Sequence, residues 1–107
     1  GSLWIGGSDG SISKFTSGTP DFFSVRDLDK PLSDSIILVT RQDLEGVYVL
    51  DHGNSRVVVF GKTGNFIAQY IWDGFERALG LAVSEEKKKI VVFLDNKVYT
   101  SGLKHLD

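Results

Sequence analysis

Three polar residues crowd one short stretch of this chain: Asp51, Asn54 and Arg56, set between Val47-Tyr48-Val49-Leu50 and Val57-Val58-Val59-Phe60. An acid, an amide and a guanidinium so close together hold the donors and acceptors for acid–base work or ion binding. A tight turn draws on the same set. Asn and Asp side chains bond nearby backbone N–H groups, and an Arg opposite an Asp closes a hairpin with charge-assisted bonds. A turn uses all the chemistry these residues hold, so they read as structural. Removing Arg56 is then expected to cost about 1–3 kcal/mol.

Other reactive residues are sparse. His52 and His105 are the only histidines, one in a turn and one in the tail, too few for a multi-histidine metal site. No Asp-x-Asp loop of EF-hand type supports calcium, and no two of the acids are singled out by spacing for glycoside chemistry. The absence of cysteine excludes disulfides, thiolate zinc sites and cysteine nucleophiles, and leaves the redox compartment open. Twelve basic residues against fourteen acidic ones give a net charge of −2, so no field draws in nucleic acid. The run Lys87-Lys88-Lys89 follows Glu85-Glu86; adjacent opposite charges cancel beyond a Debye length, and the segment reads as a solvated turn that guards against aggregation. The expectation is a protein with no catalytic site, cofactor or metal.

Contact with a protein partner is expected instead at Trp72, Phe75 and Arg77, in the connection Ile71-Trp72-Asp73-Gly74-Phe75-Glu76-Arg77. Trp and Arg beside a Phe are side chains enriched at interface hot spots. The competing reading has Trp72 and Phe75 plugging a seam between two sheets, since aromatics mostly pack.

The elements that position these residues are strands. Apolar runs of four or five residues alternate with Gly/Asp/Asn/Ser clusters, the pattern of strands and hairpins. Ile36-Ile37-Leu38-Val39, Val57-Val58-Val59-Phe60 and Ile90-Val91-Val92-Phe93-Leu94 are apolar on both faces, so each must be covered on both sides. They are too short and too β-branched for buried helices. The unit around Asp51–Phe60 recurs in weaker copies upstream and downstream at roughly 43 to 45 residues, the period of four-stranded propeller blades. The 107 residues hold about two and a half such units.

Strands are expected near 3–7, 11–16 and 21–26 in a partial first blade spanning 3–28. A complete blade spans 32–72, with strands at Ile36–Thr40, Val47–Leu50, Arg56–Phe60 and Phe66–Ile71. A partial last blade spans 79–107, with strands near Leu79–Val83, Lys89–Leu94 and Lys97–Ser101, and its fourth strand is missing. An apolar content of 41% and a charged content of 24% suit a soluble globular domain. No apolar run approaches the ~20 residues of a membrane helix, and no direct membrane contact is expected. The absence of methionine and the opening Gly1-Ser2, which reads as a remnant of cloning, point to a piece of a longer protein.

Tyr48-Val49-Leu50-Asp51, then Asn54-Ser55-Arg56-Val57-Val58-Val59-Phe60, then Gly64 and Phe66, resemble the NHL repeat: a strand ending in Asp, an Asn-x-Arg turn, an apolar strand closing on Phe, and a Gly before the outer strand. The likeness is specific within Val47–Tyr70. The first unit has Gly7, Asp9 and Ser11 at the motif positions, and the last has a shortened Asp95-Asn96 turn with no Arg. The resemblance implies an all-β, antiparallel β-propeller fragment, most often six-bladed when whole. It also implies a non-catalytic scaffold binding other proteins, of the kind appended to bacterial surface or membrane-anchored signalling proteins. The alternative it leaves open is a piece of an enzymatic or ligand-binding propeller whose active centre requires further blades.

A partial ring cannot close, so its end blades each keep one apolar face open. An open face on the order of 500 Å² forfeits about 12 kcal/mol at about 25 cal/mol per Å². That is comparable with the net stability of a typical domain, and self-association into a homo-oligomer is therefore expected.

Overall fold

A computed structural model describes residues 2–107; Gly1, half of the proposed cloning remnant, lies outside them. Ten strands form three sheets. The N-terminal sheet holds β1 (Ser2–Gly6), β2 (Ile12–Thr16) and β3 (Thr19–Asp21). The central sheet holds β4 (Ile36–Val39), β5 (Val47–Asp51), β6 (Arg56–Phe60) and β7 (Phe66–Ile71). The C-terminal sheet holds β8 (Gly80–Ser84), β9 (Lys89–Phe93) and β10 (Val98–Gly102). Within each sheet, consecutive strands pair antiparallel as meanders. The helical content is confined to short turns at His52–Asn54, Asp73–Arg77 and Lys104–Leu106. The protein is all-β and antiparallel, as its β-branched runs and turn clusters require.

The central sheet is covered on both faces. Val47, Val49, Val58 and Phe60 point to one side, where Trp4, Ile12, Phe23, Leu32 and Ile36 pack against them. Tyr48, Leu50, Val57 and Val59 point to the other and meet Leu81, Val83, Ile90, Val92 and Leu103. Both β5 and β6 are buried along their whole length. This is the arrangement that a strand with two apolar faces demands.

One detail differs from expectation. Strand β3 stops at Asp21, so the residues from 22 to 26 do not extend it. Phe23 turns inward instead, edge-on to Trp4 at 5.1 Å and to Phe60 at 6.0 Å between ring centroids. The backbone beyond it crosses the β6–β7 turn, with Ser24 N bonded to Thr63 O and Arg26 N to Gly64 O, both at 3.0 Å. Burying Phe23 and joining the neighbouring turn outweighs five more residues of an edge ladder. Gly64 permits the crossing: its φ is +104°, and a Cβ there would lie 2.1 Å from Ser24 O. In the 51–56 turn, the left-handed residue is Ser55 at φ 50°.

Candidate functional site

The Asp51–Arg56 pair is a buried tie. Arg56 Nε donates to Asp51 Oδ2 at 2.9 Å, and Asn54 Nδ2 donates to the same oxygen at 2.9 Å. Asp51 Oδ1 accepts from Ser33 N at 3.1 Å and from the Ser33 hydroxyl. The rest of the guanidinium reaches Asp29 Oδ1 at 3.2 Å, Gln69 Oε1 at 3.1 Å and Lys30 O at 2.6 Å. Burial alone would raise the Asp51 pKa, but the donors of Ser33, Asn54 and Arg56 outweigh it and hold the carboxyl below its ordinary value. Among the described residues no buried side-chain donor or acceptor is left without a partner, so the cluster is satisfied from within the chain. It fastens the 29–33 connection to the central hairpin. The short-range clamp was readable from spacing, whereas Asp29, Ser33 and Gln69 come from distant segments with no shared motif.

A second polar cluster spans the seam between the central and C-terminal sheets. Glu85 accepts from Glu45 N at 2.7 Å, Gly46 N at 3.1 Å and the Tyr48 hydroxyl at 2.8 Å. The solvated-turn reading of the 85–89 segment is thereby corrected at Glu85, whose carboxylate staples one sheet to the other. Lys87, Lys88 and Lys89 remain exposed. His105 Nε2 donates to the Tyr48 oxygen at 3.3 Å, Tyr70 donates its hydroxyl proton to His105 Nδ1, and His105 N donates back to Tyr70 at 3.1 Å. Burial holds the His105 pKa below its ordinary value, with the nearby Glu85 charge opposing. Burial, then the bond to Glu85, pushes the Tyr48 hydroxyl far above the ordinary tyrosine range. These groups are locked to one another by hydrogen bonds.

The surviving histidine, His52, also works within the fold. Its Nε2 donates to Ala78 O at 2.8 Å, which leaves Nδ1 to accept from the Ser35 hydroxyl at 3.1 Å. This ties the 51–56 turn to the Trp72–Ala78 connection. Among the described residues no group of three or more His, Cys, Asp or Glu side chains could hold a metal ion. No helix among them is long and apolar enough to cross a membrane.

A cleft of about 600 Å³ lies between β7 and the β9–β10 hairpin. Tyr70, Trp72, Phe75, Ile90, Tyr99 and Lys104 are among its lining residues. Two of the three residues expected to meet a partner thus stand at this one cleft. Phe75, at 4% exposure, is part of the core and forms its floor, consistent with the seam-plugging alternative. Trp72 keeps 37% of its surface. Its indole stands edge-on to Phe75 at 5.4 Å and tilted against Tyr99 at 5.0 Å, and lies where a Cβ on Gly74 would be. Arg77 is exposed but does not line the cleft.

Comparison with known proteins leaves this geometry unassigned. No family model matches the chain, and no curated protein or solved structure matches it significantly. The site therefore has to be read from its own chemistry.

Proposed function

We propose that this chain is a non-catalytic, propeller-like interaction scaffold that covers its open end faces with further copies of itself and binds a protein partner at its rim. The observation that carries the reading is a contrast in cover between like residues. Val57, Val58 and Val59 are wholly buried, while Val98 and Leu3 are each 61% exposed on the outward faces of the two end sheets. Ile5 and Phe15 lie with Leu3 on the N-terminal face; Val91 and Phe93 lie with Val98 on the C-terminal face. Each face is apolar enough to pack as the central sheet does, and the two are different surfaces of one molecule. Head-to-tail stacking, closing into a ring, covers both. The NHL-like pattern of Val47–Tyr70 supports the same architecture, with each sheet acting as one blade.

Light scattering at low micromolar concentration tests the reading. The expected mass is a multiple of 11.8 kDa, falling to that of one chain when Leu3→Lys and Val98→Lys are combined. A sharp monomer mass for the unaltered chain, with no binding of a dye that reports apolar surface, overturns it.

A further inference from the structure

The two seams between sheets are built alike but carry opposite charge. Trp4 pairs with Lys14 across the β1–β2 ladder as Tyr48 pairs with Val59 across β5–β6, and each pair faces the next sheet along the chain. A turn from that next sheet reaches the seam. Gln42 lies five residues before Val47 and Glu85 five residues before Ile90. Val47 and Ile90 are equivalent, since each stands at the start of the second strand of its sheet and turns toward the preceding sheet. At the C-terminal seam Glu85 brings a carboxylate to the Tyr48 hydroxyl at 2.8 Å. At the N-terminal seam the equivalent position holds the neutral amide of Gln42, and lysines stand beside it.

These groups line a cleft of about 460 Å³, with Trp4, Lys14, Thr16, Thr40, Gln42 and Lys62 in its walls. Lys14 Nζ stands 5.1 Å and Lys62 Nζ 5.9 Å from the centre of the Trp4 ring, so two ammoniums share one indole. Lys62 Nζ donates to Thr40 Oγ1 at 3.0 Å and to Arg41 O at 2.8 Å. Among the described residues no carboxylate pairs with it. The side chain of Lys14 is only 14% exposed, and its carboxylate neighbour is Asp21 at 3.6 Å. The same Asp21 oxygen already accepts the Thr16 hydroxyl proton at 2.6 Å. The Arg41 guanidinium is engaged by Asp43 Oδ1 and by Val83 O, both at 3.1 Å. Burial and the Lys14 charge hold the Lys62 pKa below its ordinary value, with Glu85 and Asp43 opposing. An anion between the two ammoniums relieves that repulsion.

We propose that this cleft binds a phosphate group, free or carried on a small molecule, with Lys14 and Lys62 supplying the charge and the Gln42 amide a further donor. A carboxylate ligand neutralises one ammonium, whereas a phosphate carries about −1.5 to −2 near neutral pH and balances both. Its oxygens accept bonds from ammonium and amide protons alike. The ligand takes the place at this seam that the Glu85 carboxylate fills at the other, where it accepts from Glu45 N, Gly46 N and the Tyr48 hydroxyl. The competing reading is a solvated seam end in which Lys62 only ties the β6–β7 turn to the end of β4. That tie uses two of the three ammonium protons of Lys62. It does not account for Lys14 under cover beside it, which reaches Lys62 O only at 3.5 Å. The cleft is larger than one phosphate, with space for the group that carries it. The proposal stands apart from the scaffold reading, because the site lies within one chain and needs no protein partner.

Titration with inorganic phosphate near neutral pH, followed by NMR, tests the proposal. The Trp4 indole N–H and the Lys14 and Lys62 side-chain signals should shift together and saturate, with Kd on the order of 1 mM, while the Trp72 indole stays in place. The Lys62 pKa, read from its side-chain signals, should rise when phosphate is bound. Phenyl phosphate distinguishes the two sources. Tighter binding than that of inorganic phosphate marks a carried group and equal binding a free ion, and both support the site. Lys14→Gln should weaken binding by about tenfold or more. Gln42→Glu is the deciding variant, because it places in this seam the carboxylate that Glu85 gives the other. It should stay folded, raise Tm and weaken phosphate binding by about tenfold or more. No saturable shift up to about 20 mM phosphate overturns the proposal, as does unchanged affinity in a folded Gln42→Glu protein. Acetate binding as tightly as phosphate also overturns it, since one ammonium would then suffice. A monomer mass by light scattering with phosphate bound supports this proposal and overturns only the scaffold reading.

Discussion

Strand β6 of the central sheet and strand β9 of the C-terminal sheet have almost the same composition and different fates. Arg56-Val57-Val58-Val59-Phe60 is buried at every position, whereas Lys89-Ile90-Val91-Val92-Phe93 buries only Ile90 and Val92. Phe60 is fully buried and Phe93 is 40% exposed. The residues do not set this difference. The neighbours do: β6 lies between two sheets, and β9 lies against one. An apolar pattern on both faces states what a strand needs, and whether the need is met depends on what stands beside it.

That comparison predicts unequal responses to substitution. The largest should come from Arg56→Ala. With Asp51 fully buried, the loss resembles breaking a buried ion pair, about 3–5 kcal/mol, above the 1–3 expected of a hairpin clamp on sequence alone. Urea titration should show a lower midpoint and an unchanged slope. Leu50→Ala, in the core between the central and C-terminal sheets, should cost about 2–5 kcal/mol by the same titration. If Arg56→Ala proves nearly neutral, the tie is not what holds the 29–33 connection in place.

Glu85→Ala comes next. It strips the partner from two backbone N–H groups and the Tyr48 hydroxyl, and about 1–3 kcal/mol should be lost. The loss should fall on the C-terminal seam, seen as faster amide exchange in β8 and β9 than in β2. Equal acceleration in all three sheets would show that the two seams are not separable.

A smaller effect follows acidification. The folded-state pKa of His105 lies below its ordinary value of 6.5, so the unfolded chain binds the proton first as pH falls. Stability should therefore be complete above about pH 7 and decline through the range below 6.5, by at most about 1.4 kcal/mol per pH unit. A His105→Gln variant should lose this slope. Asp51, whose pKa is lowered, contributes a separate decline that begins only as pH approaches the ordinary carboxylate range of about 4. A thermal-melt series from pH 8 to 3 in both proteins distinguishes the two windows.

The smallest effect is expected where cover is missing. Val98→Thr should change the stability of the isolated chain by no more than about 0.5 kcal/mol, as for other exposed sites. The measurement is best made in the Leu3→Lys background, where one side of every head-to-tail contact is disrupted. A cost near that of Leu50→Ala would mean the C-terminal face is buried in solution.

Local chemistry was enough to place most strands. β-branched runs of about five residues bounded by Gly, Asp and Asn have few conformational alternatives, and the central sheet lies where its pattern indicates. The strand expected at 21–26 failed because Phe23 had a better use. Its ring completes a cluster with Trp4 and Phe60, and neither partner is near it in sequence. The Asp51–Arg56 clamp was legible because its members are five residues apart, close enough for turn geometry to force the contact.

Glu85 and His105 show where such reading stops. Glu85 stands in a run of charges that looks solvated, and its partners lie 37 to 40 residues away in sequence. His105 looks like a stray tail residue until the chain returns it to Tyr48 and Tyr70. Residue types determine which groups must be buried, bonded or turned, because those needs are properties of the side chain and its immediate backbone. Which needs are met by which distant partner, and which face or edge is left without one, was decided only when the three sheets packed, because solvent is excluded by neighbours and not by composition.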